Sequence, residues 1–312
     1  MSLPSLRTVF LCERIVMSIS SGTVLCYGVL GIDQIVQVAW FPERNGHTRA
    51  FRDEEFAGGE ATNTAVTLSG LGVDVRLLGC AIGDDRRGAL FLRTMRQFDV
   101  DIRKLDIDPS VRTGHAVILS DVNGGRTICG HFPDVRSRPL TEADLDGVTL
   151  LSVDPFLGEN AIRAAQIARE HDITVFAIEL SSDHPLAKFC DVVINSDGFM
   201  RRHRMGMPSD VAVGLLKAGI ETVVITRGKQ GCQVFQENGN SFEQPAYQVT
   251  ARDTTGAGDA FRAGLIYGYL QGWTLTRSVQ FASGSAALTC AKAGGAGHIH
   301  GEEQVLQLIA ED

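Results

Sequence analysis

The 312-residue sequence contains no apolar run approaching the ~18 residues that cross a bilayer, so nothing in it reads as a membrane span. It contains no Cys-x-x-Cys. Its seven cysteines (Cys12, Cys26, Cys80, Cys129, Cys190, Cys232, Cys290) are scattered and odd in number, which fits reduced core thiols in a cytosolic protein better than a disulfide framework. Positive charge is scarce. Lys and Arg number 29 against 37 Asp and Glu, giving −8 and a pI near 5.5, the opposite of a nucleic-acid-binding face. No Gly-x-Gly-x-x-Gly follows the first strand-like run, which argues against a dinucleotide oxidoreductase. What a core needs is present: 44% apolar and 21% charged residues, enough for one large α/β domain or two small ones.

Three features carry little. Residues 1–21 read as an extension before the fold, with Met17 as a candidate start. His298-x-His300 lacks a third ligand nearby in sequence and is expected as tail. Arg201-Arg202-His203-Arg204 is expected as a solvated basic run.

The informative stretch is Asp253-Thr254-Thr255-Gly256-Ala257-Gly258-Asp259-Ala260-Phe261, leading into an apolar helical pattern through Leu270. Tyr247-Gln248-Val249-Thr250 before it reads as a short strand. A small-residue turn thus opens a helix whose first N–H groups lack intrahelical partners. Gly256, Ala257 and Gly258 leave room for an anion at that backbone. Asp259 would repel a phosphate unless it acts on the attacking hydroxyl, which makes phosphoryl transfer the chemistry that uses both. A plain glycine turn with Asp259 favouring the helix start is the simpler alternative.

The nine-residue string resembles the C-terminal signature of the ribokinase (PfkB) family of carbohydrate kinases. Gly58-Gly59-Glu60-Ala61-Thr62-Asn63 resembles the same family's N-terminal signature. The resemblance spans residues 22 to about 300. It implies a ribokinase-like α/β fold, a doubly wound and mostly parallel sheet with a small β lid. Its expected core is 22–33, 58–110 and 132–312, with the lid at 34–57 and 111–131. Alternation of strand and helix from 149 onward supports the parallel sheet, and Asn123-Gly124 between alternating runs supports a lid hairpin.

The resemblance also assigns roles. Asp259 becomes the general base, with Gly256, Ala257 and Gly258 as the anion hole. Asp33, Gly58, Gly59, Asn63 and Arg126 are expected to hold the sugar. On pattern alone, Asp33 also fits a turn, Asn63 a backbone-bonded interior amide, and Arg126 a solvated hairpin residue. Glu60 departs from the neutral or basic residue common there; it either tunes the substrate or faces solvent. Thr226, Gly228 and Gly231 resemble the nucleotide loop, and Ser283 and Ala287 are expected beside adenine. ATP and Mg2+ are the implied cofactors, and Asp253 with Thr255 fits the family's optional monovalent-cation (K+) site.

One family motif is broken. Where many members carry Asn-x-x-Glu near magnesium, this chain has Asn195-Ser196-Asp197-Gly198. Asn195 is kept, and Glu179 or Asp197 is the expected substitute carboxylate. Ketohexokinases show a similar departure and also resemble this chain at Ala61–Thr64, Arg126–Ile128 and Pro133–Val135, which points to a ketose or related sugar. The rivals are a nucleoside kinase, which needs an apolar slot for its base, and a catalytically silent sensor. A dimer through exposed lid edges is also expected.

Overall fold

The computed structural model describes residues 22–122 and 125–311. The expected extension, Met17, Cys12 and the hairpin-turn residues Asn123 and Gly124 lie outside them.

The first half of the chain runs β1 (Thr23–Gly28), β2 (Gly31–Val38), β3 (Ala50–Gly58), α1 (Glu60–Gly70), β4 (Val75–Gly79), α2 (Arg86–Met95), β5 (Val100–Asp101), β6 (His115–Asp121) and β7 (Arg126–His131). The second half runs β8 (Val148–Val153), α3 (Glu159–Glu170), β9 (Thr174–Ile178), β10 (Val192–Ser196), α4 (Asp197–His203), α5 (Pro208–Lys217), β11 (Thr222–Thr226), β12 (Cys232–Gln236), β13 (Ser241–Gln244), α6 (Ala257–Leu270), α7 (Leu275–Cys290) and α8 (Glu302–Glu311).

Nine strands form one sheet in the order β13-β12-β11-β10-β9-β8-β1-β4-β5. Pairing is parallel from β11 through β5 and antiparallel at β11–β12 and β12–β13. Strands covered on both faces are apolar without alternation, and all five residues of β9 are buried accordingly. The other sheet has the order β3-β2-β6-β7, its outer pairs antiparallel and its central pair β2–β6 parallel. Its strand β7 is exposed along its whole length, Cys129 included, whereas Cys26, Cys80, Cys190 and Cys232 are buried. Burial pushes all four of these thiols above the ordinary range.

Three expectations are corrected. The apolar run Val24–Asp33 reads as one strand of the core segment 22–33 but is two. The chain leaves the large sheet after Gly28 and enters the lid at Gly31, so Asp33 sits on a lid strand rather than at the end of a core strand. The apolar run conceals the break because both pieces are buried. Tyr247–Thr250 is irregular and joins no sheet. His300 is not a solvated tail: it is buried, and its Nε2 lies 2.7 Å from Ser285 Oγ. Burial, with Lys292 nearby, lowers its pKa to about 4.

No helix among the described residues is long and apolar enough to cross a membrane.

Candidate active site

A cleft of about 460 Å³ lies between the lid and the C-terminal ends of the central strands. Asp33, Gly59, Asn63, Arg126, Glu179, Asn195, Thr226, Thr255, Gly256, Gly258 and Asp259 all line it, drawn together from sequence positions more than 200 apart.

The floor is the start of α6. Gly256 precedes the helix at φ 75°, the left-handed region glycine occupies without strain. A Cβ there would also stand 2.4 Å from Gly295 Cα, so the approach admits no side chain. At Gly258 an added Cβ would meet nothing within 4 Å, so that backbone is open to the cleft. Ala257 N–H donates weakly to Thr254 O at 3.3 Å. This is the geometry for an anion at a helix N-terminus.

Asp259 stands in the first turn of α6, its side chain 14% exposed. Asn63 Nδ2 donates to its Oδ2 at 2.9 Å, and Arg262 Nη2 lies 3.5 Å from its Oδ1. Helix-end placement alone would keep Asp259 firmly ionised. Burial outweighs that and, with Asp154 nearby, raises its pKa to about 6 despite Arg262, Asn63 and Arg126. Such a carboxylate is ionised at neutral pH yet basic enough to take a proton.

Asn63 is 4% exposed and its Oδ1 has no hydrogen-bond partner. A buried amide oxygen left in this way is unusual and suits an acceptor for a ligand hydroxyl. Asp33 is 8% exposed. Burial raises its pKa to about 7, with Asp259 and Asp253 adding to the rise and Arg126 opposing it. Glu60 also lines the cleft instead of facing solvent, and burial followed by Asp154 and Asp259 pushes it up to about 8. Arg126 reaches across from β7, its Nη1 donating to Thr254 O and, at 2.8 Å, to Thr254 Oγ1. Gly58 does not line the cleft; it gives room to the Asp33 carboxyl, which a Cβ there would meet at 2.3 Å.

At the other end, Glu179 follows β9 with φ 51°, a left-handed conformation uncommon for a non-glycine residue. Ser196 Oγ donates to its Oε1 at 3.3 Å, and Arg202 Nη2 approaches both oxygens at 3.4 Å. Asn195 is fully buried, and its amide is committed: Oδ1 accepts from Leu180 N at 2.9 Å and Nδ2 donates to Leu180 O at 2.8 Å. Glu179 is therefore the carboxylate that lines this end of the cleft. Magnesium keeps several waters and leans on phosphates, so one carboxylate suits it. Asp253 pins the loop, its Oδ1 accepting from Thr255 N and Oγ1 and its Oδ2 from Gly294 N. Among the described residues no group of three His, Cys, Asp or Glu is placed to hold a metal.

Four expected nucleotide residues stand outside the cleft. Gly228 and Gly231 bound the turn after β11, and Ser283 and Ala287 lie on α7. Gly231 and Ser283 both lean on the chain leaving β13: a Cβ at Gly231 would meet Gln244 O at 1.9 Å, and Ser283 Oγ donates to Pro245 O at 3.4 Å.

Sequence reasoning missed Arg262 and Asp154, each 0% exposed and paired at 2.6 Å. A lone Arg inside an apolar helix pattern and an Asp ending a strand were the available signals. It also missed the apolar wall of Ala116, Ile118, Ile128, Phe132 and Val135. Phe132 and Phe156 are the phenylalanines lining the cleft; Phe56 packs against Gly294 and Gly297, and Phe51 is 52% exposed.

Compared with known proteins, the chain matches the family described as pfkB family carbohydrate kinase over residues 21–193 and 205–300. The gap holds Asn195 and Gly198. An ATP-dependent ribose-1-phosphate kinase of Halopiger xanaduensis is 27% identical over 87% of this chain and 93% of its own length. A nucleoside kinase of Methanocaldococcus jannaschii is 24% identical over 81% and 85%. Among solved structures, a putative ribokinase from Agrobacterium tumefaciens superposes with a TM-score of 0.84 at 23% identity, covering 94% of this chain and 98% of that one. A putative ribokinase II from E. coli in complex with ATP and Mg2+ superposes at 0.79 with 18% identity, over 94% and 100%.

Proposed function

The chain belongs to the pfkB family of carbohydrate kinases, and we propose that it moves the γ-phosphoryl group of ATP to a hydroxyl of a small sugar, with Asp259 as general base. The observation that carries this is Asp259 itself. It is a hydrogen-bonded carboxylate with a pKa near 6, in the same cleft as the open backbone at Gly258 and the unpartnered Asn63 Oδ1.

In this reading, Asp33 on lid strand β2 and Glu60 and Asn63 in the first turn of α1 orient the acceptor. The attacking hydroxyl gives its proton to Asp259 as its oxygen bonds to the γ-phosphorus. The bond from that phosphorus to the bridging oxygen breaks, and ADP leaves with the electron pair. The N–H groups of Gly256, Ala257 and Gly258 face the charge that develops on the transferred group. Magnesium would neutralise phosphate charge, with Glu179 holding it through water. Thr226, Gly228, Gly231, Ser283 and Ala287 would line the nucleotide away from the acceptor. A monovalent cation beside Asp253 and Thr255 belongs to the same proposal; turnover in potassium against tetramethylammonium salts tests it.

A ketose is the acceptor suggested by the ketohexokinase-like segments. A nucleoside is the second reading, favoured by the apolar wall of Ile118, Ile128, Phe132 and Val135, which suits the face of a base. The test is ADP release with ketoses, aldoses, ribose 1-phosphate, sugar acids and nucleosides. Turnover confined to nucleosides selects the second reading. Acceptor binding without any turnover overturns both and makes the protein a sensor.

A further inference from the structure

The lid is joined to the core partly by two short crossings, Val29–Leu30 between β1 and β2 and Gly59 between β3 and α1. They press together: Gly59 has φ 95°, and a Cβ there would stand 2.2 Å from Val29 O. One buried ion pair grips both. Asp154 Oδ2 accepts from Val29 N at 3.2 Å, and its Oδ1 accepts from Arg262 Nη1 at 2.6 Å. Arg262 Nη2 donates to Glu60 O at 2.7 Å, and Nε donates to Thr64 Oγ1 at 2.9 Å. The same Nη2 lies 3.5 Å from Asp259 Oδ1.

Burying two charges with no exposure is costly, and well-packed apolar residues often serve stability as well or better. This pair has geometry that an apolar replacement cannot copy. A planar fork reaches the strand leaving for the lid through Asp154, the chain returning from it at Glu60, and the carboxylate on α6. We infer that Arg262 and Asp154 form a positioning pair that couples the seating of the lid, and with it Asp33, to the placement of Asp259. The inference rests on Asp259 being the base.

Electrostatics gives the pair a signature that a purely structural role lacks. Arg262 lowers the Asp259 pKa, and Asp154 raises it. Burial opposes the Arg262 cation, but Asp154 and Asp259 together hold its pKa above the usual value. The other ionisable groups facing this centre are Glu60 on α1, Asp33 on β2, Arg126 on β7, Cys26 on β1 and Asp253 before α6. None is altered by the substitutions below.

The experiment measures kcat/KM against pH, both KM values and the melting temperature, using the acceptor identified by the screen. Arg262→Gln should move the acid limb to higher pH, and Asp154→Asn should move it to lower pH. Each should cost ~10–100-fold in kcat by misplacing the base, raise the acceptor KM and spare the ATP KM. Thr64→Val, which removes one anchor and no charge, should lower kcat several-fold and leave the limb in place; it serves if the charge variants do not fold. Phe176→Leu, a remote core change, should lower the melting temperature without touching the limb. Limbs that stay fixed or move together, or full kcat in Thr64→Val, overturn the coupling and leave the proposed function standing. Parental turnover by Asp259→Asn overturns both.

Discussion

In the proposed reaction a single carboxylate, that of Asp259, takes the proton of the attacking hydroxyl. Asn has the same size and keeps a hydrogen bond but accepts no proton, so Asp259→Asn should lower kcat by roughly 10²–10⁴. ATP affinity should persist or tighten, since a negative charge near the phosphates is removed. Near-parental turnover by a folded, ATP-binding variant would remove Asp259 as the base. Its pKa, raised to about 6, gives the pH dependence a sign. The proton acceptor is present above that pH and lost below it, so kcat/KM should fall as pH drops through 6. Asn63→Ala removes both an acceptor for the sugar and the donor to Asp259. The acceptor KM should rise and kcat should fall, with ATP binding in the absence of sugar nearly unchanged; an equal loss of ATP affinity counts against the assignment. Asp259, Asn63 and Gly256 were legible because short signatures fix them. The Asn63–Asp259 bond was not, because it joins residues 196 positions apart. Nor was the raised pKa, which depends on how deeply the tertiary fold buries the carboxylate.

The elements were legible where periodicity and burial agree. Strand β11 stands over the apolar run Thr222–Thr226, and β6 (His115–Asp121) stands within a residue of the alternating run Gly114–Ser120, its burial alternating with it. The pattern failed at Val24–Asp33, where a buried core strand and a buried lid strand read as one apolar run. It failed at Tyr247–Thr250, where β-branched and aromatic residues lie outside both sheets. The end proposed to hold magnesium is a case of element geometry: β10 commits the Asn195 amide to Leu180, while the turn after β9 turns Glu179 into the cleft. Glu179→Gln should therefore raise the magnesium requirement for turnover and spare acceptor binding. An unchanged magnesium titration would discard Glu179, and full turnover in excess chelator would discard magnesium itself.

At the scale of the whole molecule, alternation of strand and helix announced the parallel sheet, and the two signatures announced a lid over a shared cleft. The strand order of the lid was not readable, because β2 and β6 pair in parallel across a long excursion through the core. That sheet ends in two edges, β3 and β7, carrying Phe51 and Ile128 at 52% exposure each. Edges of this kind invite pairing with a second copy. Light scattering should give twice the 33.6 kDa chain mass, and lid-edge charges such as Ile128→Lys should halve it; a monomer at micromolar concentration ends the idea. The same edge presents Cys129 to solvent, on a strand whose neighbours Ile128 and Gly130 line the cleft. The thiols of Cys26, Cys80, Cys190 and Cys232 are enclosed and held in their unreactive form. In a Cys12→Ser variant, a maleimide dye should therefore mark Cys129 ahead of these four. Its emission would change as acceptor and nucleotide arrive beside it, giving an optical record of cleft occupancy in real time that needs no product to accumulate.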